Sequence, residues 1–274
     1  MEPLEHQLDR RFSVLVSPVF GEVAVRDDYG NEVRLARPAG RIVSLSPHLT
    51  ELLYAAGAGD KVVGAVDYSD YPPAASKLPR VGGDAGIDLE AVLALRPDLV
   101  VAWPNAGSVR SVNRLAELGI PTFRSEPREL EDIPRTIERL GRLSGTGAQA
   151  QKAAEAFRKR VAELERRYSK RPTVKVFYQV WDRPLQTVNG HHVISKVIRL
   201  CGGINVFEAL PAIAPEIDRE ALLRARPEVT ITSIRNVPAP AHFIPGELIQ
   251  RHTPRLLDGA ERLCTILEGA RTAR

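Results

Sequence analysis

The fold of this 274-residue chain is decided by two similar segments: residues 90–102 read EAVLALRPDLVVA, and residues 220–232 read EALLRARPEVTIT. Each predicts a helix, then a break at an Arg-Pro-acid sequence, then a strand with few polar residues. A strand that is apolar on both faces is typical of a parallel sheet covered by helices on both sides. From 90 to 220 the offset is 130 residues. The repeat therefore indicates two lobes that are built alike.

The chain around each repeat alternates between predicted strands and helices, which indicates the α/β class. The first lobe, residues 41–130, has predicted strands at 42–45, 62–66, 99–103 and 120–123 and predicted helices at 49–56, 89–95 and 109–118. The second lobe, residues 172–274, has predicted strands at 174–180 and 229–232 and predicted helices at 193–200, 219–225 and 255–267. We therefore expect two α/β lobes with mainly parallel sheets.

Residues 131–171 are predicted to be a helical connection between the lobes. An interruption falls at 144–147, and after it apolar residues recur at three- and four-residue steps from Ala150 to Tyr168. This pattern predicts one helix of roughly 20 residues, about 30 Å long. A long helix between two lobes indicates a rigid backbone with a ligand cleft between the lobes. An ordinary crossover helix is the alternative.

Residues 1–40 are interpreted as an N-terminal extension. Segments 23–26 (VAVR) and 32–35 (EVRL) flank a run of turn-forming residues at 27–31, which predicts a β-hairpin. The start of the chain lacks the basic and apolar regions of a signal peptide. Two interpretations remain open: a cytoplasmic chain, or the mature form of an exported protein.

The composition excludes several classes of protein. With 43% hydrophobic and 26% charged residues the chain has ordinary globular proportions. It has no apolar run of about 18 residues, so an integral membrane protein is excluded. The net charge of +4 comes from interspersed acids and bases, and no nucleic-acid-binding motif is present, so we expect no nucleic-acid partner.

The sequence also lacks the common catalytic motifs. It has no nucleophile elbow, no phosphate-binding loop and no zinc-protease motif. We therefore predict that the chain is not an enzyme and that it carries no resident cofactor. It has two cysteines, Cys201 and Cys264, which exclude a cysteine-only zinc site and leave either one disulfide or two buried thiols.

Glu90 and Glu220 open equivalent helices in the two repeats. A carboxylate at such a position is favourable for the helix dipole, which is a purely structural explanation. The alternative is that two pseudo-symmetric carboxylates contact a partner that is itself two-fold symmetric. The spacing alone leaves both explanations open.

Five short motifs in the first lobe resemble those of a known family. They read RIVSLSP at 41–47, TE at 50–51, GAGD at 57–60, YSDYPP at 68–73 and LPRVGG at 78–83. Together they resemble the substrate-binding proteins of ABC importers for cobalamin, haem and ferric siderophores, and most of all the vitamin B12-binding proteins. The resemblance runs from about Arg41 to the C-terminus. It implies two α/β lobes bridged by a long helix, and a monomeric, periplasmic protein that meets the membrane only through an ABC permease dimer.

The resemblance assigns roles to two pairs of residues. In the family one glutamate of each lobe docks onto arginines of the two permease subunits, and Glu90 and Glu220 fall at those positions. Cys201 and Cys264 match two cysteines that are joined in the vitamin B12-binding members, so the resemblance favours a disulfide over two thiols. Closing a loop of this length would stabilise the fold by about 4 kcal/mol.

The resemblance also implies a ligand site. Its candidate residues are Tyr68, Asp84, Trp103, Gln186, Glu247 and Arg251. Tyr68 matches a tyrosine that lies against the corrin, and Trp103 matches a cleft tryptophan at the end of a strand. Glu247 and Arg251 fall near the polar residues that hold the far side of cobalamin, and we expect Glu247 to orient Arg251.

Asp84 and Gln186, and also Ala214, stand where the family has aromatic residues. Fewer aromatic walls mean less contact with a flat ligand. Trp181 follows a predicted strand and is a candidate replacement. The expected transported ligand is cobalamin or a related metal chelate, with haem or a ferric siderophore as the alternative.

Two side chains are candidates for holding a metal. His48 is expected in a loop facing the cleft, where a neutral imidazole would ligate cobalt or haem iron; alternatively it is a helix-start histidine bonded to solvent. Tyr68 would ligate haem iron through its phenolate if the ligand is haem. A rival interpretation of another class is an intracellular chelatase-like enzyme or metallochaperone with a related two-lobe architecture.

Overall fold

A computed structural model describes residues 21–83, 85–105, 107–235, 237 and 240–273. The chain begins there with a hairpin of strands β1 (Val23–Arg26) and β2 (Glu32–Leu35), as predicted. The carboxylate of Asp27 accepts hydrogen bonds from the amides of Tyr29 and Asn31, at 2.9 and 2.8 Å, and so closes the turn. The first 20 residues of the predicted extension lie outside the described residues.

The first lobe contains a parallel four-stranded sheet. Its elements are β3 (Ile42–Ser44), α1 (Pro47–Ala55), β4 (Val62–Ala65), β5 (Gly82–Gly83), β6 (Gly86–Ile87), α2 (Leu89–Ala94), β7 (Leu99–Ala102), α3 (Val109–Glu117) and β8 (Thr122–Arg124), with 3₁₀ turns at Gly59–Lys61 and Pro73–Lys77. The strand order is β4-β3-β7-β8, and β5 and β6 form a separate antiparallel pair.

Both faces of this sheet are covered, as the apolar strand pattern predicts. Ile42, Leu99 and Val101 are buried in one hydrophobic cluster, and Val43 and Val100 are buried in another on the opposite face. Successive side chains of a strand point to opposite faces. The central strands β3 and β7 are therefore apolar on both faces, apart from the buried Ser44.

The connection consists of two helices, α4 (Asp132–Ser144) and α5 (Gly147–Tyr168). Helix α4 ends at Gly145, which has the left-handed conformation (φ 72°) that favours glycine at this position. Helix α5 has 22 residues and is about 33 Å long. It buries the predicted apolar stripe of Ala150, Ala154, Phe157, Leu164 and Tyr168. The predicted long backbone helix is thus present.

The second lobe repeats the topology of the first. Its elements are β9 (Val174–Gln179), α6 (Val193–Leu200), β10 (Gly203–Asn205), α7 (Arg219–Ala225), β11 (Val229–Thr232), β12 (Ala241–Phe243), α8 (Gly246–Ile249) and α9 (Leu256–Thr272). The sheet is parallel in the order β10-β9-β11-β12. In both lobes the strand that comes second in the chain (β4 or β10) lies at one edge of the sheet, next to the first strand (β3 or β9). The third and fourth strands follow on the opposite side of that first strand.

The repeat extends to the ends of the equivalent helices α2 and α7. Asp88 and Asp218 cap them, each accepting a hydrogen bond from the amide three residues later, at 2.9 and 2.6 Å. Arg96 and Arg226 follow the two helices, both in the left-handed conformation, with φ of 44° and 47°. The two segments are thus alike in conformation as well as in sequence.

Cys201 and Cys264 form a disulfide, so the two-thiol alternative is wrong. The bond joins the end of α6 to α9, and both residues are fully buried. It links positions 63 residues apart in sequence. The second lobe is therefore closed covalently between two of its helices.

Candidate ligand-binding site between the lobes

The first lobe contributes a cavity of about 270 Å³ to the candidate site. It lies at the carboxyl ends of β3, β4 and β7, where ligands of open α/β sheets usually bind. Its lining includes Leu45, Ser46, Val66, Tyr68, Trp103 and Ser108. The two aromatic residues predicted for this lobe, Tyr68 and Trp103, are therefore brought together in one cavity.

Tyr68 is exposed by an unusual backbone conformation. Its φ is 60°, in the left-handed region, which costs a residue with a Cβ about 1–2 kcal/mol. The turn is held on both sides: the amide of Asp67 donates to Gly82 O at 2.8 Å, and Arg80 Nη2 donates to Ser69 O at 3.1 Å. The residue is 66% exposed. A strained residue with an exposed ring at a cavity is a candidate for ligand contact.

Trp103 is placed by its neighbours at the end of β7. Ser108 Oγ donates a hydrogen bond to the Trp103 carbonyl at 2.9 Å. The ring of His48 meets the indole edge-on, with 5.8 Å between centroids. These contacts hold the indole at the cavity while leaving part of it exposed.

Both lobes line a second, more polar cavity of about 540 Å³. Its lining residues are Asp70 and Tyr71 of the first lobe and Gly246, Glu247, Gln250, Arg251 and Arg255 of the second. Glu247 belongs to α8, and Arg251 follows the end of that helix. The predicted polar residues Glu247 and Arg251 are thus adjacent in one cavity between the lobes.

Arg251 joins the two cavities. Its Nη2 donates to the carbonyl of Tyr68 at 3.0 Å, and its Nη1 donates to Glu51 at 2.9 Å and to Asp70 at 2.7 Å. The expectation that Glu247 orients Arg251 is therefore corrected, since carboxylates of the opposite lobe do so. Burial raises the pKa of the Asp70 carboxyl, but the hydrogen bond and charge of Arg251 outweigh it and hold that pKa below its usual value.

Glu51 is the centre of this interlobe contact, although no role for it was predicted from the sequence. Its side chain is 2% exposed, and besides Arg251 it accepts two hydrogen bonds from Arg255, at 2.7 and 3.0 Å. The guanidinium of Arg255 also lies 3.9 Å from the ring centroid of Tyr71. We call Glu51, Asp70, Arg251 and Arg255 the interlobe cluster. The available signal was an acid, within the TE motif at 50–51, in a helix that has no other acid.

Three histidine rings meet beside the interlobe cluster. His252 contacts His48 and His192, with centroids 6.1 and 5.9 Å apart. His48 lies in the first turn of α1, so the expected loop position is wrong and the helix-start alternative is confirmed. The side chain is buried, and its Nδ1 is 2.6 Å from Ser46 Oγ, so the expected bond to solvent is wrong. Burial lowers the pKa of His48 to about 4, aided by Arg251, and lowers that of His192 to about 4. Burial and the neighbouring histidines lower that of His252 to about 3. All three imidazoles are therefore neutral at pH 7.

A resident metal site is not formed by these rings. Across the described part of the chain, no group of three or more His, Cys, Asp or Glu side chains is arranged to hold a metal ion. His48 Nε2 is buried and has no hydrogen-bond partner among the described residues. Its role as a single ligand to the metal of a bound chelate stays a prediction.

The remaining candidates lie elsewhere. Asp84 is outside the described residues. Gln186 lines neither cavity, and it pairs through β-bridges with Trp181 and Glu216. Trp181 is exposed, and its indole donates to the carbonyl of Arg183 at 3.1 Å. Trp181 and Gln186 belong to the segment that follows β9 in the second lobe.

Glu90 and Glu220 are both exposed, as expected of docking residues. They lie on the equivalent helices α2 and α7 of opposite lobes. Glu220 accepts a hydrogen bond from Arg224 at 2.5 Å. Their exposure leaves both carboxylates accessible to a partner.

Comparison with known proteins decides the family. Residues 42–253 match the family model described as periplasmic binding protein. The chain belongs to this family. The vitamin B12-binding protein of Yersinia pestis (strain Pestoides F) is 39% identical over 242 residues, which cover 84% of this chain and 86% of that protein.

Two solved structures are also similar to this periplasmic binding protein. The periplasmic vitamin B12 binding protein of Vibrio cholerae has a TM-score of 0.79 and 36% identity, covering 85% of this chain and 98% of that one. The periplasmic heme-binding protein of Roseiflexus sp. RS-1 has a TM-score of 0.69 at 22% identity, covering 85% and 99%. That second likeness shows a shared fold alone.

Membership of the family confirms the predicted two-lobe α/β fold and the predicted binding function. This periplasmic binding protein is a component of an importer and not an enzyme. The family implies a small-molecule ligand, delivery to an ABC permease and a place in the periplasm. In the described residues no helix is both long and apolar enough to cross a membrane.

Proposed function

We propose that this protein captures cobalamin in the cleft between its lobes and delivers it, as a periplasmic monomer, to an ABC permease dimer. The observation that carries the proposal is the exposed aromatic wall of Tyr68 and Trp103, at the carboxyl ends of the first-lobe strands. Identity of 36–39% to vitamin B12-binding proteins supports the choice of ligand.

The aromatic wall suits a flat macrocycle. Aromatic rings that stack offset or edge-to-face contribute about 0.5–1.5 kcal/mol beyond the area they bury. The turn that carries Tyr68 in its left-handed conformation is held by hydrogen bonds within the first lobe. Such preorganisation lowers the entropy lost on binding.

The polar wall suits the amide side groups around the corrin. Glu247 and Gln250 line the second cavity with Arg251, and together they offer acceptors and donors. The bonds from Arg251 to Glu51 and Asp70 fix its guanidinium. A fixed donor loses little side-chain entropy when a ligand amide takes up a remaining N–H.

Haem is the second candidate ligand. Tyr68 presents a 66% exposed phenol at the cavity, and tyrosinate is a known ligand of haem iron. The loss of aromatic residues at Asp84 and Gln186 also makes the wall for a corrin smaller than in the family. We therefore expect either weaker cobalamin binding than in the vitamin B12-binding relatives or selection of another metal chelate.

The proposed cleft changes its shape little on binding. Helix α5 spans the two lobes without interruption, and the interlobe cluster ties α1 to the chain before α9. We expect the lobes to close by only a few degrees, in contrast to hinge-type binding proteins.

The ligand is tested by titrating the purified protein with cyanocobalamin, haemin and a ferric hydroxamate siderophore, read by visible spectra and calorimetry. We expect Tyr68→Ala and Trp103→Ala each to weaken binding of the best ligand by about tenfold or more. Tyr29→Ala is the matched control, because this exposed tyrosine lies in the N-terminal hairpin and lines neither cavity. Unchanged affinity in both cavity variants would contradict the proposed site.

We also propose that Glu90 and Glu220 dock onto arginines of the two permease subunits. Their equivalent, exposed positions on opposite lobes support this role. Replacing both with alanine should weaken association with the permease and leave ligand affinity intact. A loss of ligand affinity in that double variant would contradict a role confined to docking.

A further inference from the structure

We propose that each docking surface is a carboxylate–leucine pair, Glu90 with Leu93 and Glu220 with Leu223, and that apolar side chains of the permease pack on the two leucines. This inference rests on the docking role proposed above. It adds an apolar contact at each lobe to the charged one.

The exposed leucines are the observation behind the inference. Leu93 is 41% exposed and Leu223 is 76% exposed, and the two occupy the same position of the repeat. Each follows its glutamate by three residues in a helix, so the two side chains are neighbours on one face. Scattered exposed leucines are ordinary. Here, however, an exposed leucine lies beside the equivalent acid in both lobes, which indicates a shared role for the two positions.

The packing of the two helices keeps these leucines available. Helix α2 buries Val92, and α7 buries none of its residues fully. Beside α7 lies an apolar cavity of about 310 Å³, whose lining includes Phe177, Leu185, Leu222, Leu223, Pro240 and Ala241. An apolar side chain of a partner that packs on Leu223 therefore has further apolar surface within reach.

The charges around the two acids differ. Arg219 and Arg224 flank Glu220, and Arg224 forms an ion pair with it at 2.5 Å. The equivalent positions beside Glu90 are Leu89 and Ala94. Because a neighbouring cation competes for Glu220, the acid of the second lobe is the weaker charged contact, and the exposed Leu223 is the larger contribution there.

The repetition of the acid–leucine pair in the two lobes selects the partner. An acid beside a leucine fits a cationic side chain beside an apolar one, and two such surfaces fit a partner with two identical subunits. An ABC permease dimer meets that description. A second copy of this chain is the competing occupant, and the test separates the two.

The test measures association with the ABC permease of the same organism, reconstituted in nanodiscs. We expect Leu93→Ser and Leu223→Ser each to weaken binding by about tenfold, with the larger effect at Leu223. The double variant should lose about a hundredfold, because the distant sites add. Leu223→Met, which keeps an apolar surface, should bind within about twofold of the wild type.

The matched control is Leu118→Ser, which alters a 47% exposed leucine after α3 and should leave association unchanged. Ligand affinity of every variant, measured in the same samples, verifies the folded cleft. If the leucine variants bind like the wild type while Glu90→Gln and Glu220→Gln lose association, the leucine contact is refuted and the docking proposal stands.

Other outcomes would also overturn the inference. If the glutamate variants too bind like the wild type, or if the wild type does not bind the permease, both proposals fail. Light scattering tests the competing occupant. A wild-type dimer that the leucine variants abolish would assign these surfaces to a second copy and overturn the inference.

Discussion

Glu51→Gln should loosen the contact between the lobes. The wild-type carboxylate is buried and accepts three hydrogen bonds, one from Arg251 and two from Arg255. Glutamine keeps the shape and one oxygen acceptor but removes the negative charge. Two guanidinium groups of the second lobe then share the single carboxylate of Asp70.

The magnitude follows from burial and from the bonds that remain. Removing one partner of a buried ion pair costs about 3–5 kcal/mol. Both arginine side chains are 18% exposed, and Arg251 keeps its bonds to Asp70 and to the Tyr68 carbonyl. We therefore expect Glu51→Gln to lower the free energy of unfolding by about 2–3 kcal/mol. Ligand affinity should fall too, because Arg251 is less firmly oriented.

The assay is urea unfolding followed by circular dichroism, with ligand affinity measured in parallel. The matched control is Glu117→Gln, which removes an exposed ion pair to Arg114 in α3 and should change stability by no more than about 0.5 kcal/mol. If Glu51→Gln changes the unfolding free energy no more than this control does, the interlobe cluster does not hold the lobes together.

Three further predictions concern stability. Because burial lowers the pKa of His48, His192 and His252 from 6.5 to between about 3 and 4, the unfolded chain binds more protons below pH 6.5. Stability should therefore be full above that pH and fall as the pH drops towards 4, by up to about 1.4 kcal/mol per unit for each ring; equal urea midpoints at pH 7 and pH 4.5 would contradict this. Reducing the disulfide should cost about 4 kcal/mol, and alkylatable cysteines in protein made in an oxidising compartment would contradict the native bond. Arg226→Gly should raise the unfolding free energy by up to about 1 kcal/mol, since glycine tolerates φ of 47°; guanidinium unfolding measures it, and destabilisation would show that the arginine makes a compensating contact.

Elements with a strong pattern could be predicted from the sequence. Helices 193–200 and 219–225 and strand 229–232 have the predicted bounds, because apolar periodicity and proline breaks define them locally. Strand β12 was missed, since its three residues are half-buried or exposed at the sheet edge. Strand β10 has three residues, too few for a periodic pattern.

The last helix was predicted to end at 267 and ends at Thr272. Gly269 argues locally for an early end. Tertiary contacts override it: Arg271 donates to the carbonyls of Pro172 and Cys201 at 2.7 and 2.8 Å. Such contacts join segments about 70 and 99 residues apart, so no local pattern contains them.

The residues of the candidate site also fall into those that the sequence could predict and those that it could not. Tyr68 and Trp103 follow motifs and strand ends that are visible in the sequence, and the structure places them in one cavity. The partnership of Glu51 with Arg251 and Arg255 spans 200 and 204 residues. Only the folded chain brings these side chains together, which is why the sequence assigned the orientation of Arg251 to nearby Glu247.

The shared strand order of the two lobes has a consequence for how this protein arrives at a partner. In the docking mode proposed above, a permease with two identical subunits presents the same surface after a half-turn, so this protein would have two productive orientations. This doubling favours association by about 0.4 kcal/mol, which is RT ln 2. Arg219 and Arg224 beside Glu220 make the two lobes chemically distinguishable, yet the half-turn only exchanges which permease subunit meets which lobe. Both docking orientations would therefore be productive.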